Sequence, residues 1–325
     1  MKKTAIITGV TGQDGSYMAK LLLEKGYKVY GTVRRQTKIN LDNLTYLGVR
    51  DDVDLIVGDL LDEASINNMI NTIRPQELYS IAAQSFVGIS WDLNKWTTEV
   101  NCLGPLNLLN AIKSYSPTTK FYQASSAEMF GNVKQEIRSE STPFEPRSPY
   151  GISKLYSYWM TINFRESYGI HASNGIQFNH ESPIRGKEFV TRKVTDGVAR
   201  IKLGLANKIE LGNLDITRDW GYAGDFVEAA WRMLQLDRPT DFVLSTGISH
   251  SIRDLLEIAF SAANIPNWQQ YIEIDPRLLR PAELYSLRGD NSKAKQLLGW
   301  EPTVDFNALI NMMVTSDLER VKNES

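Results

Sequence analysis

The chain has 325 residues, enough for a large core and a second lobe, because single hydrophobic cores stop growing at about 250–300 residues. Hydrophobic residues make up 42% and charged residues 23%, with a formal net charge of −2 and no basic block, so the composition argues for a soluble globular enzyme and against nucleic acid or an anionic membrane as partner. The single cysteine, Cys102, excludes an internal disulfide and fits a reducing cytoplasm; with only three histidines it offers no metal-site spacing, and no apolar run reaches the ~18 residues of a membrane span.

The apolar opening of the chain is too short for a signal peptide and is interrupted from Gly9 to Gly15, so Ala5–Thr8 reads as a first strand. Gly9-Val10-Thr11-Gly12-Gln13-Asp14-Gly15 follows, then a helix from Ser16 to Lys25. Strand, glycine turn and helix is the context in which bare backbone at Gly9, Gly12 and Gly15 admits a pyrophosphate at a helix N-terminus. Thr11, Gln13 and Asp14 share that turn and are assigned to the cofactor. The plainer alternative is a turn that is merely rich in glycine. A second strand, Lys28–Val33, ends in Arg34-Arg35. An acidic residue there would hold the ribose 2′-hydroxyl of NAD; two arginines suit a 2′-phosphate, so NADP is expected. The same pair could be a solvated loop or a contact to a neighbouring subunit.

Val53–Val57 is the third strand. Asp59 and Leu60 follow it on the cofactor side, where Asp59 would accept from an adenine amino group or cap a turn. Ser65–Ile73 reads as helix. Leu78–Ala83 is the fourth strand, whose small residues, Ala82 among them, let backbone pass close to a cofactor. Gln84 (cofactor) and Ser85 (substrate) lead away from it. Trp96–Tyr115 reads as a long helix with Leu103, Leu106 and Leu109 on its packed face and Asn101 on another, and Gly104-Pro105 predicts a kink or break inside it.

Lys120–Ala124 is a buried strand that runs into Ser125-Ser126-Ala127-Glu128. Ser148-Pro149-Tyr150 then opens a helix to about Tyr168. Tyr150 and Lys154 stand one helical turn apart on one face. A phenol beside an ammonium is expected to lose its proton more easily than a free one, and such a phenolate takes a proton from a sugar hydroxyl as a hydride leaves the carbon. Ser126 and Glu128 sit at a strand end, where open α/β sheets place ligands. A lone Tyr-x-x-x-Lys is weak evidence; behind a glycine turn and a serine-bearing strand end it becomes strong.

His171–Phe178 is a further strand, ending in Asn179-His180-Glu181-Ser182-Pro183. Helices are expected from Thr191 to about Leu203, Asp225 to Leu236, Ile252 to Ala262 and Asn291 to Leu298. Short extended pieces are expected at Ile209–Gly212, Phe242–Gly247 and Tyr271–Asp275, and a frayed tail from Lys322. Lys193, Arg218 and Arg280 stand near loops or helix starts, which suits a diphosphate held from several sides; each alone is also an ordinary surface charge. The alternation to residue 180 predicts a doubly wound parallel Rossmann sheet with a smaller mixed α/β C-terminal substrate domain. Residues 1–178, with returning segments about 214–248 and 286–300, would form the first; 179–213, 249–285 and 301–325 the second.

Read together, residues 9–17, 122–125, 128–131, 154–159, 179–186, 189–193 and 218–221 resemble the extended short-chain dehydrogenase/reductases and, within them, the GDP-mannose 4,6-dehydratase family. The resemblance implies oxidation at C4, elimination of water across C5–C6 and reduction at C6 of a GDP-hexose, with NADP regenerated in each turnover. It implies Tyr150 as base at the C4 hydroxyl, Lys154 as its partner, Ser126 bonded to the C4 oxygen and Glu128 as base at C5. Asn179, Lys193, Arg218, Arg280 and Glu283 fall where the family binds GDP. Glu128 fits elimination independently, since an epimerase that merely flips C4 has no use for a base at C5.

Two positions depart from the family pattern: Ser126, usually threonine, and Gln177, usually aliphatic. Gln177 raises the hypothesis of an altered sugar such as a GDP-heptose, against a strand simply repacked around a satisfied amide. The rival activities are a GDP-4-keto-sugar reductase or epimerase, and a silent NADP-binding regulator. A homodimer or homotetramer is expected, as in the family.

Overall fold

The computed structural model describes residues 2–278, 284 and 286–324. Its centre is a sheet of β1 (Thr4–Ile7), β2 (Lys28–Val33), β3 (Asp54–Val57), β4 (Glu77–Ser80), β5 (Lys120–Ser126), β6 (Ala172–Gln177) and a seventh strand, Phe242–Leu244. Their order across the sheet is 3-2-1-4-5-6 and then the seventh, and every neighbouring pair is parallel. The order reverses between β1 and β4, and ligands of such sheets bind beyond the strand ends at that reversal.

Side-chain alternation sorts the core into two layers. Ala5 and Ile7 of β1 face Met18 and Leu22 of the helix Gln13–Glu24 and Phe226 and Met233 of the helix Ala223–Gln235. Ile6 faces the other way, toward Ile66, Ile70, Leu108, Ile112 and Phe164 of three helices, Glu63–Ile73, Gly104–Tyr115 and Pro149–Tyr168. A separate apolar cluster joins the helices Val190–Lys202, Ile252–Ala262 and Phe306–Glu324 through Val194, Val198, Leu255, Phe260, Ile310 and Met313. Short strands surround that cluster: Ile209–Leu211 pairs Ile272–Ile274, and Thr217–Arg218 lies between His250–Ser251 and Ser286–Leu287.

Four differences from the sequence reading have physical causes. The long helix is not broken at Gly104-Pro105: Asn94–Thr98 and Gly104–Tyr115 are joined by a π-helical turn, Glu99–Leu103, closed by the Gly104 N–H on the Glu99 carbonyl. The wider turn absorbs the N–H that Pro105 lacks. The fourth strand stops at Ser80, because the N–H groups of Ile81 and Ala82 turn to the Thr8 hydroxyl, at 3.0 and 3.1 Å. Asn179–Glu181 is itself a strand, pairing Trp220–Tyr222. The sequence reading also missed the helix Phe306–Glu324, and its last turn is ordered where fraying was expected. Asp317 interrupts the apolar stripe of that helix; it is fully buried and takes hydrogen bonds from Arg192 Nε at 2.8 Å and Thr195 Oγ1 at 2.6 Å. Glu324 in turn pairs with Arg200 at 2.8 Å. Among the described residues no helix is long and apolar enough to cross a membrane, and no cluster of potential metal ligands occurs.

Candidate active site

A cleft of about 770 Å³ opens beyond the strand ends. Its floor is the turn after β1. Gly9 has φ +70°, and a Cβ on it would come within 2.9 Å of the Ala82 Cα, so only glycine permits this approach of turn and strand end. The Gly12 N–H closes the turn on the Gly9 carbonyl at 3.0 Å, and the following helix starts at Gln13. Gly9, Thr11 and Gly12 all line the cleft, whereas Gly15 does not. A Cβ on Gly15 would overlap the Gly9 carbonyl, so its bareness seats the helix on the turn.

The turn therefore fits a pyrophosphate: bare backbone and a helix N-terminus face the cleft. Ala82 and Gln84 line the cleft beside it, and Gln84 Oε1 is buried with no hydrogen-bond partner among the described residues. Asp59 and Leu60 line the same end, with Asp59 Oδ1 accepting from the Leu61 N–H at 3.0 Å. Arg34 is exposed, lines the cleft and lies 6.0 Å from the Trp96 ring centre. Arg35 is exposed and does not line it. Neither arginine has an ion-pair partner among the described residues.

Gln13 and Asp14 line the cleft but spend their side chains on the opposite wall. Gln13 Nε2 donates to the His180 carbonyl at 3.1 Å, and its Oε1 accepts from the Ser182 hydroxyl at 2.7 Å. Asp14 Oδ2 lies 2.8 Å from His180 Nε2, and the imidazole stacks on Phe226 with ring centres 4.6 Å apart. Burial alone would raise the Asp14 carboxyl, yet the charge and hydrogen bond of His180 bring it down to about 2. Burial would likewise lower His180, and Asp14 raises it above its ordinary value instead.

The reactive end lies where β5 meets the helix Pro149–Tyr168. The Ser126 hydroxyl accepts from the Glu128 N–H at 3.2 Å, so it caps the 3-10 turn Ala127–Met129 that carries Glu128. Ser148 caps the helix by accepting from the Gly151 N–H at 3.0 Å. A Cβ on Gly151 would come within 2.7 Å of the Glu128 carbonyl, so the helix start lies directly on the turn. Ser126, Glu128, Tyr150 and Lys154 thereby line one cleft.

The expected easing of the Tyr150 proton is not found. Burial pushes the phenol up to about 12; the Ser126 hydroxyl pulls it down, and the Glu128 carboxylate pushes it up. Lys154 Nζ lies 5.8 Å from the ring centre and donates to the Ala124 carbonyl at 2.8 Å. Burial also lowers the Lys154 ammonium to about 8, which weakens the charge the sequence reading relied on.

Asn101, on the π-helical turn, ties these parts together. It accepts from the Gln84 N–H at 2.8 Å and donates to the Gln84 carbonyl at 3.0 Å and to Ser153 Oγ at 3.1 Å. Ser153 Oγ donates to the Tyr150 carbonyl at 2.7 Å. The sequence marked only a kink or break at Gly104-Pro105, not the wider turn that precedes it.

Ser85, Asn179, Lys193 and Arg218 line the rest of the cleft. Arg218 is buried and its Nη1 donates to the Thr217 and Leu284 carbonyls, at 2.8 and 2.7 Å. Arg280 and Glu283 lie outside the described residues. Sequence reasoning missed His180 and Arg185 as cleft residues. Arg185 pairs with Glu181 at 3.1 Å and covers the Phe189 ring at 3.4 Å; Phe189 meets Phe86 edge-on at 5.8 Å. Only the density of small and polar residues from 179 to 186 could have signalled them.

The sequence model of the family described as GDP-mannose 4,6 dehydratase matches residues 6–313. GDP-mannose 4,6 dehydratase 1 of Arabidopsis thaliana is 47% identical over 333 residues, covering 99% of this chain and 92% of the relative. The GDP-mannose 4,6 dehydratase of Homo sapiens is 45% identical over 345 residues, covering 99% and 93%. Among solved structures, a Thermus thermophilus UDP-glucose 4-epimerase in complex with NAD superposes with a TM-score of 0.84 at 26% identity, covering 97% of this chain and 98% of that one.

Proposed function

The chain belongs to the GDP-mannose 4,6-dehydratase family, and from that premise we propose that it dehydrates GDP-mannose to GDP-4-keto-6-deoxymannose as a hydro-lyase. The observation that carries this reading is the meeting of Glu128 and Tyr150 in one cleft, with Ser126 capping the turn that carries Glu128. A reductase or an epimerase that merely flips C4 needs the phenol alone; an elimination also needs the carboxylate.

A nicotinamide dinucleotide held by its pyrophosphate on the Gly9–Gly12 turn would supply the hydride acceptor for C4 and the hydride donor for C6. Tyr150 Oη receives the proton of the C4 hydroxyl, and Ser126 donates a hydrogen bond to the C4 oxygen as it becomes a ketone. That ketone acidifies the C5 hydrogen; Glu128 removes this proton and passes it to the C6 hydroxyl, which leaves as water, and the proton held by Tyr150 returns to C5 when C6 is reduced. Lys154 positions the phenol's surroundings through Ala124. To accept the C4 hydroxyl proton Tyr150 must first give up its own, and burial, which holds the phenol up at about 12, opposes this.

NADP is the preferred cofactor in this reading, because Arg34 reaches the cleft without a carboxylate partner among the described residues. Asn179, Lys193 and Arg218 hold the GDP moiety, joined by Arg280 and Glu283. The division into a cofactor-binding and a substrate domain is supported by the separate apolar cluster of the helices Val190–Lys202, Ile252–Ala262 and Phe306–Glu324. The assembly is a homo-oligomer of the cytoplasm. Its surface is the outer face of the catalytic helix, where Ile152, Tyr156 and Trp159 are 58%, 39% and 55% exposed at helical spacing and Leu93 and Leu103 are exposed nearby.

The test is incubation of GDP-mannose with catalytic NADP+, followed by mass spectrometry. Loss of water without net change in NADPH is expected. A product of unchanged mass, or stoichiometric NADPH formation, would overturn the dehydratase reading.

A further inference from the structure

Gln177 closes β6, and its register partner is Ser126, the last residue of β5. Neighbouring residues of parallel strands point to the same face about 4.8 Å apart, so the carboxamide and the catalytic hydroxyl emerge side by side. Gln177 lines the cleft and is only 8% exposed. A carboxamide has two donors and an acceptor. Three other carboxamides in this region use theirs: Gln13 on His180 and Ser182, Asn101 on Gln84 and Ser153, Asn174 on Tyr158 and Asp241. The Gln177 side chain has no hydrogen bond among the described residues, and the residue lines the cleft.

An amide at a strand end that lines a cleft and has no protein partner is free to bond what enters it. Its place decides which part of the ligand. The cations Lys193 and Arg218 stand on the far wall, where a diphosphate belongs, whereas Gln177 stands beside the hydroxyl that meets the reacting carbon. A neutral amide suits a hydroxyl better than a charged group. We propose that the Gln177 carboxamide hydrogen-bonds a hydroxyl of the sugar ring or its exocyclic arm, and so sets which GDP-linked sugar the enzyme accepts. This inference rests on the GDP-sugar reading above.

The test uses the NADP-loaded enzyme and two apolar variants of similar volume, Gln177→Leu and Gln177→Met, with affinities for GDP, GDP-mannose and NADP and turnover of GDP-mannose and of a GDP-sugar longer by one carbon at C6. Both variants are expected to lose about 10- to 100-fold in kcat/KM on the sugar the wild type prefers, with GDP and NADP affinities within about twofold. Unchanged kcat/KM on both sugars would overturn the proposal. So would an equal loss in GDP or NADP affinity, which would put the amide on the nucleotide or the cofactor. If the wild type dehydrates neither sugar, the reaction assigned above fails while this inference is still read from binding. A narrowed gap between GDP and GDP-mannose affinity in the variants supports it, and an unchanged gap overturns it.

Discussion

The two walls of the cleft are built by different physics. On the sheet side each functional group is placed by its own short stretch of chain: Ser126 caps the turn that carries Glu128, Ser148 caps the helix that carries Tyr150, and Lys154 follows one turn later. On the far side the groups are held by partners distant in sequence. Arg192 reaches across to Asp317 and donates to the Pro183 and Arg185 carbonyls at 2.8 Å each, while Arg320 donates to the same Pro183 carbonyl at 2.8 Å. The segment 180–185, with its His180 and Arg185, is thus fixed by the C-terminal helix. Local hydrogen bonds make one wall a motif; a buried charge network makes the other a product of assembly.

The largest expected effects separate the two walls. Tyr150→Phe should lower kcat about 10³-fold with unchanged melting temperature and little change in NADP affinity, since it removes a proton acceptor and no long-range contact. A comparable loss of stability would mean that the sheet wall also depends on assembly. Asp317→Ala should do the reverse: it strands Arg192 and Arg320 without their carboxylate and costs about 3–5 kcal/mol in thermal or denaturant unfolding. Cofactor affinity should weaken with it, through the 183–185 segment. Full stability in this variant would break the contrast.

The Asp14–His180 pair joins the walls, and its pH dependence sharpens the comparison. Asp14, depressed to about 2, contributes stability that is present above pH about 4 and lost as pH falls through 2. His180, raised above its ordinary value, contributes below pH about 6.5 and loses this as pH rises through its folded value. Arg185 also faces both groups, holding Asp14 down and opposing the His180 charge. The stability lost in Asp14→Asn should therefore be greatest, about 2 kcal/mol, between pH 4 and 6.5 and should shrink above that window. Melting curves of both proteins from pH 4 to 9 check this, and a pH-independent difference would remove the ion pair from the account. The smallest effect is expected at the rim: Arg34→Ser should reduce the NADP-over-NAD binding ratio about 10-fold and leave stability unchanged.

What the chain order alone determined follows this division. The parallel sheet, the glycine turn, the strand-end serine and glutamate, and the Tyr150–Lys154 pair were all readable, because each depends on residues within a turn or two of one another and on alternation of strand and helix. Three features were decided only by tertiary structure. The π-helical turn at 99–103 depends on how Asn101 bridges Gln84 and Ser153. The helix 306–324 was hidden because a buried aspartate looks like a break in an apolar stripe until the arginine that neutralises it is in place. The state of Tyr150 was misjudged because sequence spacing places an ammonium near the phenol but says nothing of desolvation, and burial outweighs proximity in this cleft.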